Sequence, residues 1–235
     1  MAEEKNWYLW LDCDRSPYMN MSIDELLLQE ADQTGVPVIR IYGWDRKSVS
    51  IGYVQSYEAA PYQEYTVVRR PTGGGIVYHD NDLTYTAVVP STHEICQLNR
   101  MDSYHVFHRA VQLALAGFGL TASLAPDESG PVDRATMQCF VTPTRYDVVA
   151  AGKKFAGAAQ RRTRDGILHQ GSIDLKASNG DRNRLIEKLT AAFEKQFEIK
   201  FSEFKVSEKF LDKAKELAEQ KYSKESWNKE KRYKD

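Results

Sequence analysis

Cysteine is scarce in this chain, neither sign of charge prevails, and no long apolar run occurs. The three cysteines, Cys13, Cys96 and Cys139, are widely spaced and form no C-x-x-C pair. That excludes a zinc site and a disulfide framework, so no metal is expected. The odd count suits a reducing compartment and leaves room for one working thiol. Lys+Arg number 32 and Asp+Glu 33, a formal net charge of −1. This balance excludes a polycation that coats nucleic acid by bulk counterion release, but not a local basic patch. Residues 1–7 are polar and acidic and do not read as a signal peptide. No stretch reaches the roughly 18 apolar residues of a spanning helix. A cytoplasmic protein is expected, with neither nucleic acid nor membrane as partner. Repeats, low-complexity tracts, a Walker loop and G-x-G-x-x-G are also missing.

What remains is 235 residues, 42% hydrophobic and 28% charged, enough for one large domain or one domain with a small appendage. A chain of this length buries roughly 70–75% of its unfolded surface and folds without staples. Residues 7–12 alternate as a strand. Asn20 or Ser22 is suited to cap a helix, Ser22 and Glu25 having capping-box spacing, and Gly35 ends it. Residues 36–42 and 48–52 read as paired strands across 43–47. A strand at 66–69 runs into three glycines, and 76–79 with 83–89 read as a hairpin turning at 80–82. Asp102 or Ser103 caps a helix closed by Gly117 or Gly119. Residues 120–143 read as an irregular surface loop, followed by strands at 146–150, 154–160 and 167–175. Asp181 and Ser207 open two further helices.

Strands cluster in the middle with helices between and after them, without βα alternation. The fold class is therefore α+β, with a mixed, mostly antiparallel sheet core and flanking helices. Residues 1–200 are assigned to a catalytic domain and 201–235 to a C-terminal helical extension packed on it. A monomer is expected. From Lys205 onward ten basic and seven acidic residues make the tail mildly basic.

Four constellations could carry chemistry. In Arg69-Arg70-Pro71-Thr72-Gly73-Gly74-Gly75 the glycines let a backbone approach closely, and successive N–H groups form a cradle for an anion or carbonyl oxygen. The arginines could hold a phosphate or carboxylate; the plainer alternative is a flexible loop with solvated arginines. In Tyr78-His79-Asp80, His79 could orient a substrate or act as a base, or simply bond structurally. In residues 152–160, Lys154, Ala156 and Ala158 share one strand face, which could line a slot around Gly157 with one cation at its mouth. A lysine-guarded edge strand is the alternative. Cys139 could be an acyl-transfer nucleophile, helped by a cation such as Lys154, or a small hydrophobe under a loop.

Together these pieces resemble the biotin/lipoate protein ligase catalytic-domain family, most of all its cysteine-dependent octanoyltransferase branch. The resemblance runs from about residue 7 to 227. It is carried by Asn20-Met21-Ser22-Ile23-Asp24-Glu25, by residues 40–44 and 48–55, by 69–90 (RRPTGGGIVYHDNDLTYTAVVP) and by 139–174. It implies octanoyl transfer in lipoate biosynthesis, with acyl carrier protein as donor and a lipoyl domain or glycine-cleavage H protein as acceptor. It also implies no cofactor, since the thioester is already activated and ATP is not needed. By the same resemblance Cys139 carries the acyl group as a thioester and Lys154 is the family lysine. Backbone N–H groups near Gly73, Gly74 and Gly75, or near Cys139, would serve the oxyanion. Ala156, Ala158 and Tyr78 would line the acyl channel.

One position departs from the family. Gln170 stands where a histidine usually precedes the glycine, and His169 falls one residue earlier, on the opposite strand face. Two competitors follow: an ATP-dependent lipoate–protein ligase, and a non-catalytic relative that binds an acidic carrier through Arg161, Arg162, Arg164 and the basic tail.

Overall fold

The computed structural model describes residues 5–126 and 145–233. Cys139, and most of the segment read as an irregular loop, lie outside the described residues. In chain order the elements are β1 (Lys5–Arg15), α1 (Pro17–Gln29), α2 (Ala31–Thr34), β2 (Val38–Trp44), β3 (Ser48–Ile51), β4 (Thr66–Arg69), β5 (Val77–Tyr78) and β6 (Asp82–Pro90). Next come α3 (Arg100–Ala116), β7 (Ala122–Leu124), β8 (Val148–Ala150), β9 (Lys153–Thr163), β10 (Gly166–Asp174), α4 (Arg182–Phe197), β11 (Ile199–Glu203), α5 (Glu208–Leu217) and α6 (Glu225–Asn228).

Two sheets result. The larger has the order β11-β1-β2-β6-β10-β9-β8-β7, and the smaller β4-β3-β5. In the larger sheet β1 runs parallel to β11 and β2, and the other pairings are antiparallel, as the expected fold class requires. One face is covered by α3 and α4, whose Phe107, Val111, Leu189 and Phe193 pack with Ile41, Tyr85 and Ile173. On the other face Ile23 and Leu27 of α1 pack with Val88, Leu168 and Phe210 of α5.

Four local expectations are corrected. Residues 48–52 do not pair with 36–42, because both edges of β2 are already taken by β1 and β6. Residues 76–79 do not form a hairpin with 83–89, because β6 is held between β2 and β10; β5 pairs with β3 instead. Together β3, β4 and β5 make the separate small sheet that presents the glycine loop. The first helix starts earlier than the capping-box spacing suggests. Ser16 caps it by accepting the Met19 N–H at 3.2 Å, and Pro17 fills the first turn, where its missing N–H costs nothing. Asn20 and Ser22 are buried inside that helix, and Glu25 pairs with Lys221 instead of closing a capping box. Similarly, Asn99, not Asp102 or Ser103, caps α3 by accepting the Asp102 N–H.

Candidate functional site

The glycine loop, residues 72–75, joins β4 to β5. Two arginines build it from beneath. Arg70 donates to the carbonyls of Ser50 (2.9 Å), Gly73 (2.7 Å) and Gly75 (2.6 Å). In a trans peptide the N–H points opposite to the preceding C=O, so holding the Gly73 carbonyl turns the Gly74 N–H away from the guanidinium. Gly74 adopts φ +84°, which favours glycine. Its carbonyl would lie 2.1 Å from a Cβ placed on Gly52, so the loop after β3 must also carry a glycine. Thr72 accepts the Tyr53 N–H at 2.8 Å, tying the two loops together.

Arg69 is put to a different use from the expected anion contact. It is fully buried and bonds to the carbonyls of Gly52, Tyr53, Gln55 and Asn228. Its own N–H reaches Asn228 Oδ1 at 2.7 Å, and its carbonyl accepts from Trp227 Nε1 at 2.9 Å. Arg69 therefore clamps the loop after β3 to α6. Neither arginine is a solvated loop cation.

His79 is also enclosed. Its Nδ1 meets Asp82 at 2.9 Å, its Nε2 meets Ser50 Oγ at 2.9 Å, and the ring stacks on Trp44 at 3.8 Å. Burial works to raise the Asp82 carboxyl, but His79, Ser172 and Thr84 hold it below the usual value. The line Asp82–His79–Ser50 has the connectivity of a hydrolytic triad. Ser50, however, is buried and its Oγ lies 3.2 Å from Arg70 Nη1, so the line braces Arg70 instead of facing a substrate. Tyr78 packs against Tyr65 in the small-sheet core.

Lys154 reaches the glycine-loop face by a route that simple alternation does not give. Val148 stands opposite Ala156, yet Val149 stands opposite Lys154, so β9 carries one extra residue at this point. Such a bulge re-aims the side chains beyond it. The expectation that Lys154, Ala156 and Ala158 share a face is corrected accordingly. Ala156 belongs to the core under α3, and Ala158 meets Tyr104 of α3 through its backbone. Lys154 lies instead with Gly157: a Cβ on Gly157 would fall 2.6 Å from its Cε and 2.8 Å from its Nζ. A Cβ on Gly74 would meet the Ala159 methyl at 3.4 Å. Gly157 and Ala159 thus wall the face on which the lysine and the glycine loop sit.

Lys154 Nζ pairs with Asp147 at 2.7 Å, both side chains being almost wholly buried. Tyr104 Oη lies 3.1 Å from Asp147 Oδ1 and accepts the Ala158 N–H at 3.0 Å. Thr72 donates to Gln170 Oε1 at 2.7 Å, and Gln170 Nε2 donates to Asp24 at 2.7 Å. Asp24 is in turn held by Arg40, Tyr42 and Thr86. Asp147, Tyr104, Gln55 and Asn228 are absent from the residues singled out by sequence. Asp147 was findable as a carboxylate heading the strand before the lysine; nothing local marks Asn228, which lies 159 positions from Arg69.

The described site is a pinned glycine loop facing a buried, carboxylate-held lysine. The family model of the lipoyl protein ligase A/B catalytic domain matches residues 16–216. Octanoyltransferase LipM of Bacillus subtilis (strain 168) is 31% identical, covering 96% of this chain and 99% of its own length. Protein Ta0514 of T. acidophilum superposes with a TM-score of 0.80 at 25% identity, covering 97% of this chain and all of that one. A structure of lipoate-protein ligase A bound with ATP superposes with a TM-score of 0.75 at 25% identity, covering 96% of this chain and 98% of that one. Matches of that reach, on a fold shared from end to end, make this chain a member of the lipoyl protein ligase A/B catalytic-domain family.

Proposed function

We propose that the chain is an octanoyltransferase of lipoate biosynthesis that works through a cysteine thioester. The observation that carries the reading is Lys154, held by Asp147 on the glycine-loop face, in a chain 31% identical to an octanoyltransferase over nearly its whole length. In the first half-reaction the Cys139 thiolate attacks the carbonyl carbon of an octanoyl thioester on acyl carrier protein. A new C–S bond forms, and the carrier sulfur leaves and takes up a proton. In the second, the ε-amine of a lysine on a lipoyl domain or glycine-cleavage H protein attacks the enzyme thioester. An amide forms, the amine proton is lost, and the Cys139 thiol is restored. The Lys154 ammonium and the glycine-loop N–H groups face the charge that develops on the carbonyl oxygen.

Gln170, joined to Thr72 and Asp24, fixes the loop that presents those groups. Residues 1–200 and 201–235 act as one unit, supported by β11 pairing with β1 and by Asn228 on Arg69. Among the described residues no helix is long and apolar enough to cross a membrane.

The test is intact-mass measurement after incubation with octanoyl-acyl carrier protein and no ATP. The expected result is a gain of about 126 Da, one octanoyl group in place of a thiol hydrogen, that vanishes in Cys139→Ser. The likeness to the ATP-bound ligase gives the second reading: no adduct, with lipoyl-domain modification only when ATP and lipoate are added. That result would replace the transferase by a ligase.

A further inference from the structure

Among the described residues four large apolar side chains are well exposed: Leu11, Tyr53, Val54 and Tyr62. Three of them belong to the connection between β3 and β4, with Tyr62 stacked on Tyr57 at 5.7 Å between ring centres. The exposure is not looseness. The backbone at 52–55 is held by Arg69 through three carbonyls and by the Tyr53 N–H on Thr72. A pinned loop that presents Tyr53, 38% exposed, and Val54, 58% exposed, to solvent is a preformed contact surface.

Cations border it. The Arg161 guanidinium lies 6.0 Å from the Tyr53 ring centre and 3.3 Å from the Pro71 carbonyl. Lys231 Nζ donates to the Val54 carbonyl at 3.2 Å, and Lys229 lies 5.5 Å from the Tyr57 ring. Of the acids nearby, Glu225 pairs with Lys229 and Glu230 with Arg232, while Glu58, bonded to the neutral Ser56 hydroxyl, is the one of the three that keeps its charge against Arg161 and Lys231. Arg161 and Lys231 have no carboxylate within ion-pair distance among the described residues, so the border carries a net positive charge. The same loop abuts the glycine loop at Gly52 and Gly74. A partner seated on it stands beside the site.

We propose that this surface, Tyr53 and Val54 bordered by Arg161 and Lys231, docks an acidic protein domain that carries the acyl chain. Apolar contact at the centre with cations at the rim fits a partner whose helices present carboxylates around a small apolar patch. The proposal rests on the acyl-transfer reading above.

The test compares two donors, octanoyl-acyl carrier protein and octanoyl-N-acetylcysteamine, a thioester with no protein attached. Arg161→Glu with Lys231→Glu, and separately Val54→Ser, should raise KM for the carrier-borne donor about tenfold or more, with the small thioester changed less than about twofold. Titration of unacylated carrier protein should show the same loss of affinity. Equal losses with both donors would place these residues in the acyl site and overturn the proposal. So would unchanged carrier binding in the charge-reversal variant, or binding to anionic phospholipid vesicles that carrier protein fails to displace. Failure of the wild-type chain to be acylated by either donor sinks the transferase reading itself, a result distinct from all of these.

Discussion

Strands β9 and β10 present two faces that differ in kind, and the contrast is sharpest between adjacent residues of β10. His169 points toward α3. Its Nε2 meets Tyr85 at 3.1 Å and its Nδ1 meets the Gln160 amide at 3.0 Å. Gln160 Oε1 in turn accepts from Ser103. Burial holds His169 well below its ordinary pKa, so it stays neutral. Gln170 points the other way and links Asp24 to Thr72. On the first face the bonds of His169 stay between β6, β9 and β10. The second passes its bonds from a buried charge cluster to a loop. Alternation along the strand, more than residue type, decides which polar side chain supports the fold and which supports the site.

Acid should break this contrast first. His108, stacked on Tyr104 beneath the first face, is pushed down to about 4, chiefly by burial, and His169 is depressed by burial and then by His108. The unfolded chain protonates both near 6.5, whereas the folded chain does not. Their stabilising effect is therefore full above about pH 6.5 and is lost as pH falls from there, toward about 4 for His108. Each proton contributes a slope of about 1.4 kcal/mol per pH unit. Urea unfolding should lose stability from pH 6.5 to 5, with a slope smaller by about one proton in His108→Phe; a flat profile would refute the account.

Glycines on the two faces give the next separation. A Cβ on Gly171 would lie 2.2 Å from the Tyr85 ring, a buried group with no room to yield. Gly171→Ala should cost about 3 kcal/mol in unfolding free energy, while activity per folded molecule stays the same. On the other face, a Cβ on Gly157 meets the end of the Lys154 side chain and, at 3.1 Å, Asp147 Oδ1. Gly157→Ala should displace the ammonium and lower kcat about tenfold per folded molecule, and strain on the buried Lys154–Asp147 pair should add a stability loss of about 1–3 kcal/mol. If Gly157→Ala keeps kcat per folded molecule, as Gly171→Ala should, the division between the faces is wrong.

Much of this was legible in the sequence, and the gaps have physical causes. Helices α4 and α5 start where Asp181 and Ser207 predict, because each cap satisfies a backbone N–H within its own first turn. The glycine loop and the opposite faces of His169 and Gln170 were readable for the same reason: loop chemistry and alternation are local. Pairing partners were not. Whether β3 joins β2 depends on which edges of β2 are free, and that is settled by β1 and β6. The extra residue in β9 leaves the sequence pattern of a plain strand, so Lys154 was put on the face of Ala156. Strand β11 escaped notice because Ile199 and Phe201 give only two turns of alternation after a helix. Arg69 read as an anion contact because an arginine beside glycines looks the same whether it meets a ligand or, as here, four carbonyls.

The Arg69–Asn228 clamp also sets an order of events during synthesis. The two residues lie 159 positions apart, so at about 5–20 residues per second Asn228 is made about 8–30 s after Arg69. Until then the carbonyls of Gly52, Tyr53 and Gln55 share a guanidinium whose other partner does not yet exist. Strand β1 waits longer still for β11, whose paired residues lie 194 positions on. A growing chain therefore holds the loop after β3 and the glycine loop unfinished, and a prematurely ended copy that lacks α6 should present both loops loosely.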